Sequence, residues 1–367
     1  SFSDVIFNNG FDKSVDFTKT NFNGRVNFDK ASFCNGADFI ESEFNKKVNF
    51  ENAVFYNAVF SGAKFRGYAD FRKSKFYDSI ILDGIQFYNY ANFVEAKFNH
   101  ISSFHWVSFY DYANFSKAEF VKKANFNRVR FKDDADFRGA LFGSSFSLME
   151  SNFERFRVEW DNIKDHLIYD PAIYLLLINN FKNMGSYRDA DNCYYQYRKQ
   201  VQKNKKWHSS SSKFIKLGAW IWNEMASYLR IVYNDIQWLH LRYLSRIYQF
   251  NWSKLYDLIS EISCGYGVRI LPIILWMIGL SLIFGFSYYI FTGIGEIVSN
   301  EASKTVISSE NVSILDSIYF SIMAMTGKPP ISYSPIGNWK YIVIIESLLG
   351  YLFQALFVFV IIRKLIR

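Results

Sequence analysis

Five consecutive residues near the C-terminal end carry the most distinctive chemistry of the chain, Thr326-Gly327-Lys328-Pro329-Pro330. A helix that ends at Thr326 would present its carbonyl end there, equivalent to about half a negative charge, which attracts cations. The ammonium group of Lys328 would instead attract anions, and rings of such groups line anion pores. The two prolines restrict the backbone that follows. We therefore predict that this segment contacts inorganic ions, and the five residues leave the sign of the ion open.

The sequence contains no pattern that is typical of a catalytic site. It contains no nucleophile–base pair, no phosphate-binding loop and no cluster with metal-ligand spacing. His100 and His105 could together bind a metal ion. A simpler interpretation is that one lies on a turn and the other on a face of the fold, with no metal between them. We predict a protein that is not an enzyme, with no catalytic or metal-ligating residues and no cofactor.

Two long apolar segments flank the ion-contacting segment. Residues 270–292 form a stretch of 23 residues without a charge, and residues 341–362 are interrupted only by Glu346 and Gln354. Each is long enough to cross a bilayer. A carboxylate inside a membrane is costly unless partnered, so Glu346 is a candidate functional residue. It could contact ions, or it could be a polar partner for a serine or tyrosine of the helix between the spans.

The apolar run between these segments is too short to span a membrane. Residues 314–325 have the length of a re-entrant helix. Ser313 and Asp316 form a capping-box pattern at its start, and the glycine and prolines after Thr326 end it. The predicted order is span, half-helix, irregular loop, span. Irregular backbone at membrane depth requires surrounding protein or a water-filled pore.

This order resembles the two-span pore module of the potassium-channel superfamily. The residues that carry the resemblance are Asp316-Ser317-Ile318-Tyr319-Phe320-Ser321, Thr326, Pro335 and Glu346-Ser347-Leu348-Leu349-Gly350. The resemblance covers roughly the last hundred residues, and it implies four subunits around one axis with a filter after each pore helix. It also implies that Asp316 and Glu346 support the pore helix and that Gly350 is a hinge. Gly350 could instead permit close helix packing.

The filter position departs from that family. Where the potassium filter has TVGYG, this chain has Gly327-Lys328-Pro329-Pro330-Ile331, and the Gly265-Tyr266-Gly267 sequence lies before the first span, on the wrong side. Stacked carbonyl sites for potassium are therefore not expected. A non-selective pore and an anion pore both remain open.

Phenylalanine dominates the N-terminal part, where 28 of the 39 lie within the first 153 residues. They recur at spacings of five and six, which on a helix would place them roughly 140° apart rather than in one stripe. In an extended chain, alanine and phenylalanine two residues apart point inward and the residue between them points outward. The spacing therefore favours short strands over a coiled coil.

The Ala–(Asp/Asn)–Phe triplets resemble the pentapeptide-repeat family, whose units wind into a four-sided right-handed β-helix. Examples are Ala37-Asp38-Phe39, Ala91-Asn92-Phe93, Ala113-Asn114-Phe115 and Ala135-Asp136-Phe137. Two eleven-residue units per coil predict about seven coils and a rod of roughly 34 Å, at ~4.8 Å between strands. Members that mimic DNA are acidic, whereas residues 1–155 are near neutral, so we predict no nucleic-acid partner. Such solenoids mostly offer binding surfaces.

Helical periodicity replaces the phenylalanine spacing after residue 153. Residues 171–184 and 187–202 are similar to a single tetratricopeptide-type hairpin, predicted here to cap the solenoid rather than to bind a peptide. The domains predicted are 1–153, the β-helix; 154–208, the hairpin cap; 213–268, aromatic and basic helices at the bilayer surface; and 269–367, the pore module. An ordinary helical layer is an equal alternative for 213–268.

The charges beside the two apolar segments predict how the chain is oriented in the membrane. Arg269 precedes the first apolar segment and Arg363, Lys364 and Arg367 follow the second, whereas the loop between the spans is acidic. By the positive-inside rule both termini lie in the cytoplasm, at the plasma or inner membrane. The cysteines Cys34, Cys193 and Cys264 have no paired spacing, which suits a reducing compartment. The chain begins at Ser1, so residues are expected to precede it or to have been trimmed.

Together these features predict a tetrameric membrane ion channel with a cytoplasmic β-helix that senses a ligand or docks to a partner. Its predicted partners are membrane lipid, inorganic ions, further copies of the chain and an unknown cytoplasmic protein or ligand. The alternative is a non-conducting scaffold, anchored in the membrane, that binds a protein through the β-helix.

Overall fold

The structure is a computed structural model, and it describes residues 1–7, 14–205, 252–299, 305–308 and 312–365. The chain divides into two compact units, Ser1–Tyr197 and Arg198–Arg367. Surface helices were predicted over 213–268; residues 213–251 of that range lie outside the described residues, and the rest contains the helix Trp252–Cys264. Each unit is considered separately below.

The first unit is a β-solenoid of about seven coils, in which each coil adds one two-residue strand to each of four parallel sheets. The first sheet contains Ile6–Phe7, Ser32–Phe33, Val54–Phe55, Lys75–Phe76, Lys97–Phe98, Glu119–Phe120 and Leu141–Phe142; the second contains Val15–Asp16, Ala37–Asp38, Ala58–Val59, Ile80–Ile81, Ser102–Ser103, Ala124–Asn125 and Phe146–Ser147. The third contains Asn21–Phe22, Glu43–Phe44, Lys64–Phe65, Gln86–Phe87, Ser108–Phe109 and Arg130–Phe131; the fourth contains Val26–Asn27, Val48–Asn49, Ala69–Asp70, Ala91–Asn92, Ala113–Asn114, Ala135–Asp136 and Phe156–Arg157. The predicted strand architecture and number of coils are confirmed.

The pairing register explains the phenylalanine spacing. Phe33 pairs with Phe55 and Phe55 with Phe76, so one coil uses 22 or 21 residues. Their rings stack at centroid distances of 4.9 and 5.0 Å. Corners within the five-residue spacings hold a residue in the left-handed region, such as Glu41 with φ 52° and Lys117 with φ 57°. These tight corners alternate with corners that are one residue longer, which produces the eleven-residue repeat.

The outward-facing polar residues differ from expectation on one sheet. Asp70 and Asp136 are 0% and 1% exposed, although alternation directs them away from the phenylalanine core. Arg72 and Arg138 cover them, each donating a guanidinium hydrogen bond at 2.9 and 2.6 Å respectively. The outward side chains are therefore buried by their neighbours on the surface, which alternation alone does not predict.

A tyrosine ladder runs along one corner of the solenoid. Tyr68, Tyr90 and Tyr112 stack at centroid distances of 5.2 and 5.3 Å, and the ammonium of Lys47 lies over the Tyr68 ring. Burial raises the pKa of Tyr68 and of Tyr112 to about 12. The hydroxyl of Tyr112 also donates to Asp136 at 2.9 Å. The folded solenoid therefore favours the protonated phenols.

These raised pKa values predict a loss of stability in alkali. Unfolded tyrosine ionises near pH 10, so the contribution of the ladder is complete below that pH and is lost as the pH rises towards 12. We expect the urea midpoint of residues 1–197 to fall between pH 9 and pH 11. The double variant Tyr68→Phe/Tyr112→Phe should start from a lower midpoint but fall less steeply. Equal slopes in the two proteins would contradict this origin, since their lysines titrate alike.

Three helices follow the solenoid, Trp160–Ile163, Pro171–Asn183 and Tyr187–Asn204, and the boundary between the two units falls within the third. Asp170 caps the second by accepting from two backbone amides of its first turn. The Asn180 side chain accepts from Phe156 N at 2.9 Å and donates to Phe156 O at 2.8 Å, as a neighbouring strand would. The amide thus satisfies the last strand of the solenoid, whose open edge would otherwise invite pairing with another chain. The phenylalanine core continues without a break to Cys193.

The second unit contains two helices that are long and apolar enough to cross a membrane, the first apolar helix (Leu271–Ile290) and the second apolar helix (Trp339–Leu365). The short helix (Ile314–Met325) lies between them in sequence. A further helix, Trp252–Cys264, precedes them, and the strands Ile294–Ser299, Thr305–Ser308 and Tyr333–Pro335 form an antiparallel sheet with the first of these in the centre.

Candidate functional site

The segments that lead into and out of the short helix meet at one end of the apolar helices. The strand Ile294–Ser299 follows the first apolar helix closely and pairs with Tyr333–Pro335, which follows the short helix. Ile336 N then donates to Gly293 O at 2.9 Å, and the second apolar helix begins three residues later. The predicted capping box is present, with Ser313 and Asp316 bonded reciprocally. These pairings hold together the segment that precedes the short helix and the segment that follows it.

The other end of the short helix meets the middle of the second apolar helix. A Cβ atom added to Gly350 would lie 1.9 Å from the carbonyl oxygen of Met325, so only glycine allows this contact. Gly350 stands eleven positions after Trp339, which is about 17 Å along a helix at 1.5 Å per residue. The short helix therefore ends about halfway along its neighbour. The hinge proposed for Gly350 stays a prediction.

The last carbonyl groups of the short helix are occupied by donors from the same chain. The backbone amides of Thr326, Gly327 and Lys328 donate to the carbonyls of residues 322–324 at distances from 2.9 to 3.2 Å. Ser347 Oγ donates to the carbonyl of residue 324 at 3.0 Å, and Gln354 Nε2 donates to the carbonyl of residue 325 at 3.1 Å. Neither Ser347 nor Gln354 was predicted to be a site residue. The signal available was that Gln354 interrupts an apolar run.

Glu346 is fully buried where the three helices of the site meet. Its carboxyl accepts from the Tyr288 hydroxyl of the first apolar helix at 2.6 Å and bonds to Ser321 of the short helix. Ser321 Oγ also lies 2.8 Å from the carbonyl oxygen of Ser281. The carboxyl thus connects all three helices. Its hydrogen bonds to protein hydroxyls are those of a polar partner, and one of the two partners lies on the first apolar helix rather than on the short helix.

The segment after the short helix faces an apolar cleft. Thr326 and Lys328 are exposed, and with Gln354 they line a half-open cleft of about 940 Å³. Apart from Ser281, its other walls are apolar side chains of all three helices. Gly327 has a φ of +77°, and a Cβ there would lie 2.2 Å from the Tyr351 hydroxyl. Pro329 is exposed and Pro330 half-buried, and neither lines the cleft.

A polar cluster joins the start of the second unit to the turn before the first apolar helix and to the end of the second apolar helix. Asp257 is 2% exposed and accepts from Arg198 at 2.6 Å and from Lys205. The Arg198 guanidinium lies over the Tyr266 ring at 5.3 Å. Arg363, near the end of the second apolar helix, donates to the backbone carbonyl of Tyr266 at 3.4 Å and to that of the following glycine at 3.2 Å. The turn between the helix Trp252–Cys264 and the first apolar helix is thereby bonded to the end of the second.

Metal-binding groups do not gather at this site or elsewhere among the described residues. No group of three or more histidine, cysteine, aspartate or glutamate side chains is positioned to hold an ion there. Cys34, Cys193 and Cys264 are all free thiols. Burial raises the pKa of the Cys193 thiol, which makes it inert.

Comparison with known proteins supports the solenoid alone. Residues 11–54, 39–84 and 50–97 match the family described as pentapeptide repeats (9 copies). Together with the four parallel sheets, this match makes the N-terminal part a pentapeptide-repeat solenoid. No curated protein and no solved structure matches the chain.

Proposed function

We propose that the protein is an ion channel formed by four copies of the chain, each contributing two membrane spans and a re-entrant helix. The observation that carries this proposal is the course of the chain between the apolar helices. The short helix ends beside Gly350, about halfway along a neighbouring helix long enough to span a bilayer. The chain then returns through residues 326–332, which form no helix or strand, to the strand Tyr333–Pro335 at the end from which it came. A chain that only anchors a protein in a membrane does not require such a path.

The surroundings of the returning segment favour an oligomer. Backbone that is not helical is tolerated at membrane depth only where protein or water surrounds it. The exposed Thr326 and Lys328 and the open cleft beside them provide a polar path and an apolar wall at that depth. In a tetramer the neighbouring copies cover the apolar wall while the polar residues face a shared axis. With both termini in the cytoplasm, the pentapeptide-repeat solenoid serves as a sensing or docking domain on that side.

Recordings from the purified full-length chain in planar bilayers test this function, together with the symmetry of detergent-solubilised particles. We expect ion conductance and fourfold particles. A chain that is electrically silent and monomeric would contradict the proposal and favour the membrane-anchored scaffold. Threefold or fivefold particles would remove the tetrameric arrangement.

Charge selectivity gives a sharper prediction at Lys328. Four ammonium groups near one axis repel cations, so Lys328→Gln is expected to raise the permeability of cations relative to anions. The change should be roughly tenfold, the factor that about 1.4 kcal/mol produces. Reversal potentials under a salt gradient would move towards the cation equilibrium value. Lys340→Gln removes an exposed lysine near the start of the second apolar helix and is the matched control. An unchanged reversal potential in Lys328→Gln, with conductance intact, would show that Lys328 does not set the sign of the permeant ion.

A further inference from the structure

We infer that Gln354 helps to determine charge selectivity in the proposed channel, because it occupies the carbonyl that the short helix would otherwise present to a cation. The inference rests on the proposed function. It concerns a residue of the second apolar helix, outside the segment that follows the short helix. It also predicts the class of permeant ion, a small inorganic anion.

The end of a helix normally attracts cations through its last carbonyl groups. An α-helix leaves its final four carbonyls without partners in the helix, and together they act as about half a negative charge. Here the carbonyls of residues 322–324 accept from backbone amides of the turn that follows the helix. That turn is local, so it satisfies these three oxygens whatever lies beside the helix.

The carbonyl of Met325 is different because its donor comes from another helix. Gln354 Nε2 donates to this oxygen at 3.1 Å, and among the described residues no second hydrogen bond to it is present. Met325 is also the residue whose carbonyl touches Gly350, so the oxygen is held against the second apolar helix rather than directed into open space. Both contacts remove the last carbonyl from the set available to a permeating cation.

Ser347 provides an internal comparison. Its hydroxyl donates to the carbonyl of Ala324 at 3.0 Å, but that oxygen already accepts from Gly327 N at 2.9 Å. Loss of the serine hydroxyl therefore leaves the oxygen partnered, whereas loss of the glutamine amide leaves the Met325 oxygen without a donor among the described residues. Each substitution removes one side-chain donor from neighbouring carbonyls, but only the loss of Gln354 leaves its carbonyl without a donor among the described residues.

The electrostatic balance then favours anions. With the carbonyl end occupied, Lys328 is the one charged residue among the described residues that line the cleft beside Gln354, and its side chain is exposed. A charged side chain at a constriction attracts ions of the opposite sign. The glutamine weakens the attraction for cations and the lysine supplies the attraction for anions, so the two residues act in the same direction.

The test is the reversal potential of the full-length channel under a sodium chloride gradient. Gln354→Leu, which keeps a similar volume without a donor, should raise the permeability of sodium relative to chloride about fivefold, the factor expected for one neutral hydrogen bond. Gln354→Glu keeps the size, replaces the amide donor with an acceptor and adds a carboxylate charge, so it should raise the ratio further. Ser347→Ala should leave it within twofold of the wild-type value.

The outcomes separate this inference from the proposed function. If the wild type conducts and both Gln354 variants keep its ratio of sodium to chloride permeability, the inference is overturned and the proposed channel function stands. An equal shift in Ser347→Ala would also overturn it, because that carbonyl keeps its backbone donor. An absence of conductance in wild-type protein would instead overturn the proposed function. The glutamate variant keeps the test decisive if the leucine variant fails to assemble.

Discussion

Phe115→Ala is expected to lower the free energy of unfolding of the solenoid by about 3–5 kcal/mol. Phe115 is 0% exposed, and its ring stacks between Phe93 and Phe137 at 4.7 Å from each. Two further rings, those of Phe104 and Phe126, meet it edge to face at 5.5 and 5.4 Å. A stacked ladder cannot close over a missing ring, because strand spacing holds the coils about 4.8 Å apart. The cavity therefore persists.

Urea denaturation of residues 1–197 measures this loss, followed by far-ultraviolet circular dichroism. The wild-type segment must first give a β-type spectrum, and a mainly helical spectrum would contradict the isolated solenoid itself. Leu141→Ala is the matched control, because Leu141 is 60% exposed on the outer side of its strand and should change stability by no more than about 0.5 kcal/mol. A loss below 1 kcal/mol for Phe115→Ala would contradict a closely packed ladder.

Gly350→Ala is expected to displace the short helix and to abolish conductance. The added methyl group would lie 1.9 Å from Met325 O and 2.7 Å from the carbonyl carbon, far inside van der Waals contact. Backbone atoms cannot rotate away as a flexible side chain can, so the helices must separate. Overpacking of this kind costs typically 1–3 kcal/mol and occasionally more. Separation would also lengthen the Gln354–Met325 hydrogen bond, which lies one turn further along.

Thermal unfolding of the full-length chain in detergent measures the packing effect apart from conductance. Gly279→Ala is the matched control, since Gly279 is in the first apolar helix and has no atom within 4 Å of its added Cβ. We expect the control to keep or raise its midpoint, because alanine is the better helix former, and Gly350→Ala to lower it. Equal midpoints with altered gating would favour a hinge at Gly350 over close packing.

Much of the first unit could be predicted because its information is local and repeated. Alternation of inward and outward residues along a strand and the five-and-six spacing of phenylalanine specify four short strands per coil. The left-handed corners at residues such as Glu41 and Lys117 were not predicted, since those residue types do not favour positive φ. At these corners the stacking of the coils determines the backbone conformation, and each residue adopts it whatever its own preference. The polar cover over Asp70 and Asp136 was missed for the same reason.

The sequence by itself determined the solenoid, the two helices of spanning length and the capped short helix, because each depends on periodicity, length or neighbours within four residues. Only the tertiary structure decided which groups meet at the site. Glu346 reaches Tyr288, 58 positions away, and Gln354 reaches the Met325 carbonyl, 29 positions away. Such contacts depend on how far each helix is rotated about its axis and how closely the helices approach. Neither quantity is specified by an apolar run, since a helix that is apolar on every side has no face that local pattern assigns to a neighbour.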